Sequence, residues 1–192
     1  DLLGGEQSGF INEIGFETYQ KILAEAIEEL KENEFKDLYD EVEGKQEKIF
    51  VKETQIDSDF ELLFPDDYIN NITERLTLYT ELNQVKDEEA LQKFEAQLVD
   101  RFGELPDEAQ DLLNSVRIKW IANSIGLEKI VMKQGKMIGY FISDQQSAFY
   151  QTSTFTKVLQ YVQSHAQQCK IKEKQTRNGL RLLLVFDSIR SI

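Results

Sequence analysis

At Gly126 the spacing of the apolar residues changes, and this change limits the fold more than any other feature of the chain. Before it, Leu91, Phe94, Leu98 and Phe102 recur at intervals of three and four, the stripe of an amphipathic helix. After it, Ile130 to Lys133 and Met137 to Ile142 flank Gln134-Gly135-Lys136, which reads as two short strands joined by a hairpin turn. A helical block that gives way to strands, without regular alternation of the two, predicts an α+β fold.

Further elements fill in this plan. Residues 1 to 15 are glycine-rich and read as a loop. Phe16, Tyr19, Leu23, Ala26, Ile27 and Leu30 then form the stripe of a first helix, over about Phe16 to Glu32. Residues 31 to 48 have weak periodicity and mixed charge, and read as a linker, either flexible or a helical spacer. Gln55 to Leu63 alternates Ile56, Ser58, Phe60 and Leu62 with Asp57, Asp59 and Glu61, which predicts a strand with one buried face. A second helix is expected over about Ile69 to Leu82, with Ile72, Leu76, Tyr79 and Leu82 inward. Asp87 is placed to cap a third, and Gly103 to stop it. Pro106 opens a fourth, with Leu112, Leu113, Val116, Trp120 and Ile121 inward. Thr154 to Ala166 is helical by pattern. Two closing strands, Lys170 to Lys174 and Leu180 to Phe186, meet through Arg177-Asn178-Gly179, where Asn-Gly tolerates positive φ. The expected architecture is a base of three helices with two β-hairpins around a further helix, preceded by a hook-like helix and a linker. The boundaries are 1–35, an acidic linker 36–50, and a C-terminal domain 51–192.

Charge narrows the function. The chain carries 22 basic and 35 acidic side chains, a net charge of −13, which repels phosphate backbones and disfavours broad nucleic-acid binding. The distribution is uneven: residues 25 to 67 are strongly acidic, whereas residues 168 to 192 are basic. A basic protein surface is the better partner. No apolar run is long enough for a membrane helix, and no signal segment opens the chain, which begins without Met like a piece of something longer. One cysteine suits a reducing, cytoplasmic setting.

Catalytic chemistry finds little support. Asp66-Asp67 and Glu88-Glu89 are carboxylate pairs, but a chain with 35 acids produces these by chance. The single histidine, His165, lies four residues before Cys169, a spacing that puts both on one face of a continuing helix; two ligands are few for a metal. Cys169 reads as a small buried thiol. Gly4-Gly5 lacks the lysine and hydroxyl residue of a phosphate loop. The densest signal is V-D-R-F-G-E-L-P-D-E-A, Val99 to Ala109. A helix end, glycine stop and proline restart account for Phe102, Gly103 and Pro106, but not for Asp100 and Arg101. Gln97 and Asp100 lie three apart on the outer face, either as ordinary solvated groups or as an interaction patch.

Three segments together resemble the C-terminal region of the bacterial transcription-repair coupling factors. D-L-L-G-G-E-Q-S-G-F-I-N-E-I-G-F-E-T-Y, Asp1 to Tyr19, looks like the tail of the translocation motif shared with the RecG helicases, running into a hook-like helix. F-P-D-D-Y-I-N-N-I-T-E-R-L-T-L-Y, Phe64 to Tyr79, is similar to the opening of the family's last domain, and L-V-D-R-F-G-E-L-P, Leu98 to Pro106, to its central signature. The resemblance implies a large parent protein that binds stalled RNA polymerase, uses ATP and magnesium to move on DNA, and recruits UvrA for excision repair. The ATPase motifs would lie upstream, so the chain itself is expected to be non-catalytic, with no cofactor and no metal. The last domain would dock on the N-terminal UvrB-like module of the same protein and mask its UvrA-binding surface.

By the same resemblance Gln7, with Gly4 and Glu6 beside it, matches the motif glutamine that couples ATP hydrolysis to DNA movement; its arginine partner would precede Asp1. Asp100 matches an acidic residue that pairs with arginines of the UvrB-like module. Gln97 occupies a second position of that patch, where an acid can occur. Arg101 belongs to the same signature, and serves either helix-end packing or an ion pair within the domain. Two other readings compete with docking: DNA contact through Lys170, Lys172, Lys174, Arg177 and Arg181, and self-association through the first helix.

Overall fold

The computed structural model describes residues 49–192. The expectations for 1–35, and for the linker up to Lys48, including Gly4, Glu6, Gln7 and the stripe of Phe16 to Leu30, fall outside the described residues. From Ile49 onward the order is β1 (Gln55–Ser58), α1 (Ile72–Gln84), α2 (Glu88–Phe102), α3 (Asp107–Ser124), β2 (Leu127–Lys133), β3 (Lys136–Phe141), a 3-10 turn (Ala148–Gln151), α4 (Ser153–Ser164), β4 (Cys169–Thr176) and β5 (Gly179–Phe186). This is an α+β fold.

The helices start where their caps dictate. The Asn71 side chain accepts a hydrogen bond from the Glu74 amide at 3.0 Å, so α1 begins at Ile72 and not at Ile69. Ile69 instead closes the Phe64–Tyr68 turn and is fully buried. The inward face of α1 also differs from the one expected. Leu78 and Leu82 are buried, while Ile72 and Leu76 are 65% and 61% exposed. Two apolar stripes run along this helix, and α2 and α3 cover only one. Asp87 caps α2 at 2.8 Å, and Gly103 ends it at φ 86°, a backbone region costly for any residue with a Cβ. In α3, Ile121 is 62% exposed and Ala122 takes the inward place. Pro106 stands just before this helix, as its cap.

Two cores share α3. The base core holds Phe64, Leu78, Leu91, Phe94, Leu98 and Leu113. The sheet core holds Ala122, Ile130, Met132, Phe141, Phe149, Phe155 and Leu184. The two hairpins do not stand apart. They join edge to edge through β3 and β5 into one five-stranded sheet of order β1-β2-β3-β5-β4. β1 adds a parallel strand beside β2, in register Ile56↔Ile130. It stops at Ser58, short of the expected Leu63, because β2 turns away after Lys133 and leaves no partner. The alternation to Leu62 still sorts half-buried from exposed side chains.

Both hairpin turns need the left-handed region, though not as expected in each case. Gln134 and Gly135 sit at φ 54° and 73°, a two-residue turn with positive φ at both positions. In the closing hairpin only Gly179 is positive, at φ 109°, and Asn178 is not. Thr176 holds this turn by donating its hydroxyl to the Gly179 carbonyl at 2.7 Å.

Candidate interdomain docking site

The candidate site grows from α2. Burial of Leu91, Phe94 and Leu98 against α1 and α3 turns Gln97 and Asp100 to solvent, with Val99 44% exposed between them. Neither the Gln97 nor the Asp100 side chain has a hydrogen bond or ion pair among the described residues. Their carboxylate and amide are therefore available to a partner. Arg101 is not available in the same way. It pairs with Glu74 of α1, and its guanidinium lies 4.8 Å from the centre of the Phe102 ring. The pair borders an open recess of about 560 Å³ that Thr73, Thr77 and Glu81 of α1 also line.

The end of α2 is fixed on several sides. The Tyr68 hydroxyl donates to the Gly103 carbonyl at 2.9 Å, and its ring meets Phe102 at 5.7 Å. Arg75 donates to the Ile69 carbonyl at 2.9 Å and pairs with Asp66 at 2.8 Å. At the start of α2, Arg117 of α3 grips Glu88 through Nε and Nη2 at 2.8–3.1 Å. The Arg117 hydrogen bond holds the Glu88 carboxyl below the ordinary carboxylate range, and the same bond raises Arg117. Asp111, near the start of α3, is raised by burial and by Asp107 and Glu108.

The sheet has a second, differently charged surface. α3 and α4 cover one face. On the other, the registers gather Lys129, Lys133, Lys136, Lys170, Lys172, Lys174 and Arg181 around an apolar centre. The basic residues proposed from sequence as DNA contacts are partly engaged here. Lys170 pairs with Asp187 at 3.1 Å, Arg181 with Glu128 at 3.7 Å, and Lys174 lies 5.9 Å from the Tyr140 ring centre. The Lys170 bond, followed by the charges of Lys170, Lys172 and Lys136, holds Asp187 below the ordinary range.

The His165–Cys169 idea fails on geometry. Cys169 opens β4 and does not continue the helix, and burial pushes its thiol up. The His165 ring stacks on Tyr161 at 3.9 Å, and its Nδ1 lies 2.8 Å from the Tyr161 carbonyl oxygen. No group of three or more His, Cys, Asp or Glu among the described residues is placed to hold a metal ion. No helix among them is long and apolar enough to cross a membrane.

Comparison with known proteins agrees with the α2 signature. A family model described as the TRCF domain matches residues 58–152, which include α1, α2, α3 and the first hairpin. This chain belongs to the TRCF-domain family. It is 34% identical over 130 residues to the transcription-repair-coupling factor of Escherichia coli (strain K12), covering 68% of this chain and 11% of that protein. To the Rickettsia bellii (strain RML369-C) protein of the same name it is 30% identical over 172 residues, covering 90% of this chain and 14% of the relative. The chain thus spans about a tenth to a seventh of the length of these curated relatives. A crystal structure of the C-terminal domain of transcription-repair coupling factor aligns with TM-score 0.48 and 18% identity, over 69% of this chain and 80% of that one.

Proposed function

We propose that this TRCF domain is a non-catalytic docking module. Its α2 face would bind the arginine-bearing surface of the UvrB-like module at the other end of a transcription-repair coupling factor, and so mask UvrA binding. The observation that carries this reading is Asp100: an exposed carboxylate without a partner among the described residues, on a helix fixed at both ends, beside Gln97. Arg101, drawn toward Glu74, would act as a positioning residue that keeps a positive charge off the docking face. The wider roles belong to the whole protein: ATP- and magnesium-driven movement on DNA, release of stalled RNA polymerase, and UvrA recruitment in the cytoplasm.

Physical considerations support a weak but effective contact. Charge pairs at a protein interface govern orientation and on-rate. A covalent tether raises the effective concentration to about millimolar for short linkers, so modest affinity can hold a closed state that a competitor displaces. Glutamine at 97 keeps a hydrogen-bond acceptor but supplies no charge.

The test is calorimetric titration of this chain into the isolated UvrB-like module, with Asp100→Arg in parallel and at two salt concentrations. The expected result is saturable binding that salt weakens and that Asp100→Arg reduces about tenfold or more. Equal binding by the two chains would remove Asp100 from the mechanism.

A further inference from the structure

The sheet face away from α3 and α4 holds charges that the Asp100 contact leaves unused. Two registers set like charges directly across strands: Lys133 faces Lys136, and Lys174 faces Arg181. Such pairs weaken a sheet. The chain has 35 acids to 22 basic residues, so opposite charges were available for these positions. Acids neutralise only part of the face: Asp57 pairs with Lys133, Glu128 with Arg181 and Asp187 with Lys170. Lys129, Lys136 and Lys172 have no ion pair among the described residues. A face that concentrates cations at a cost to its own strand pairing suits an extended anion.

The layout distinguishes between anions. Lys129, Tyr140, Leu183 and Lys172 stand on one rung across four strands. The two lysines are thus three strand spacings apart, about 14 Å. The backbones that border a major groove of DNA lie about 12 Å apart. An acidic protein fits less well. Protein interfaces favour arginine and deplete lysine, and of the seven cations on this face only Arg181 is an arginine. Leu183 and Val185, between the lysine rows, are only 7% and 5% exposed, which leaves little apolar surface for a protein to bury. A single strand would need an open aromatic ring on which to stack its bases. The Tyr140 ring is already engaged, with Arg181 5.2 Å and Lys174 5.9 Å from its centre. We infer that the outer face of the sheet contacts the phosphate backbones of double-stranded DNA, the β4 lysines on one backbone and those of β2 and β3 on the other, without regard to base sequence. Acids more than about 8 Å from the face are largely screened at physiological salt, so the net charge of the whole chain does not prevent this. The contact uses no residue of the Asp100 face, and either can fail alone.

Fluorescence anisotropy tests it, with the full chain titrated into a short labelled duplex of mixed sequence. Saturable binding is expected at low salt. Its logarithm should fall against the logarithm of salt with a slope of about −3 to −4, the release of counterions from about four phosphates. Lys136→Glu plus Lys172→Glu, at two exposed positions, should weaken binding about tenfold or more, and the gentler Lys136→Gln plus Lys172→Gln by a smaller factor. Lys86→Glu plus Lys93→Glu makes the same change in net charge at exposed positions of the helical base, and should weaken binding less than about threefold. Several results would overturn the inference: no binding at low salt, equal losses from the two glutamate pairs, tighter binding to a single strand of the same length, or displacement of the duplex by an acidic peptide at equal charge.

Discussion

The helical base and the sheet layer are built differently, although α3 belongs to both. The base spreads its stability. Its leucines and Phe94 come from three helices, Phe64 joins them from the turn before α1, and polar ties at the surface reinforce the packing, with Glu88 held by Arg117 and Tyr68 holding Gly103. The sheet layer concentrates its stability. Phe149 alone meets Phe50, Phe141, Tyr150 and Phe155 at ring-centre distances of 5.6–6.5 Å. The buried Tyr150 hydroxyl donates to the Ile142 carbonyl beside it, and burial pushes that phenol well above its ordinary range. A docking face that must stay rigid while its partner comes and goes is better placed on the distributed construction, where no single contact decides the shape.

The largest effects are therefore expected in the sheet layer. Phe149→Ala should cost about 4 kcal/mol in urea unfolding, because truncation leaves a cavity at the meeting point of four other rings. Gly126→Ala should cost about 3 kcal/mol: Gly126 sits at φ 80°, and an added Cβ would overlap the Phe149 ring. Trp120 fluorescence and far-UV circular dichroism should give one coincident transition in both variants, since α3 couples the cores. Separate transitions would break the single-unit view.

In the base, Asp87→Ala should cost only about 1 kcal/mol, the value of one helix cap. Glu88→Gln should have a smaller effect that depends on pH. The folded Glu88 carboxyl is lowered, so its contribution is full above the ordinary carboxylate range and disappears as pH falls through the folded value. Stability curves of Glu88→Gln and wild type should then separate at neutral pH and converge in acid. Asp100→Arg comes last: its stability should lie within about 0.5 kcal/mol of wild type, because the side chain is exposed and has no partner among the described residues. A larger loss would mean that Asp100 supports the fold and that its effect on docking is indirect.

The parts of the chain that sequence reveals are those where several local signals agree. In α2 the Asp87 cap, the stripe from Leu91 to Leu98 and the Gly103 stop point to one helix and one outward face, so the exposure of Gln97 and Asp100 follows. In α1 the signals divide. Ile72 and Leu76 compete with Leu78 and Leu82, and only the position of the neighbouring helices decides between them. Long-range pairing leaves no local trace at all. Glu74 meets Arg101 across 27 residues, and the parallel bond of β1 to β2 has no turn to announce it. The basic sheet face comes from four strands, of which the sequence marks as basic only the last two.

That distant placement of β1 bears on the order of folding. The three helices between it and β2 rest largely on near-neighbour contacts and can form in microseconds to milliseconds. β1 has four residues and no hairpin partner. Its anchor, the buried Thr54, donates its hydroxyl to the Leu127 carbonyl 73 residues away at 2.7 Å. Closing so long a loop is favourable only after the helices have shortened the gap. The strand that joins this domain to the residues before it is thus expected to be the last gained in folding and the first surrendered when the chain is pulled from that side.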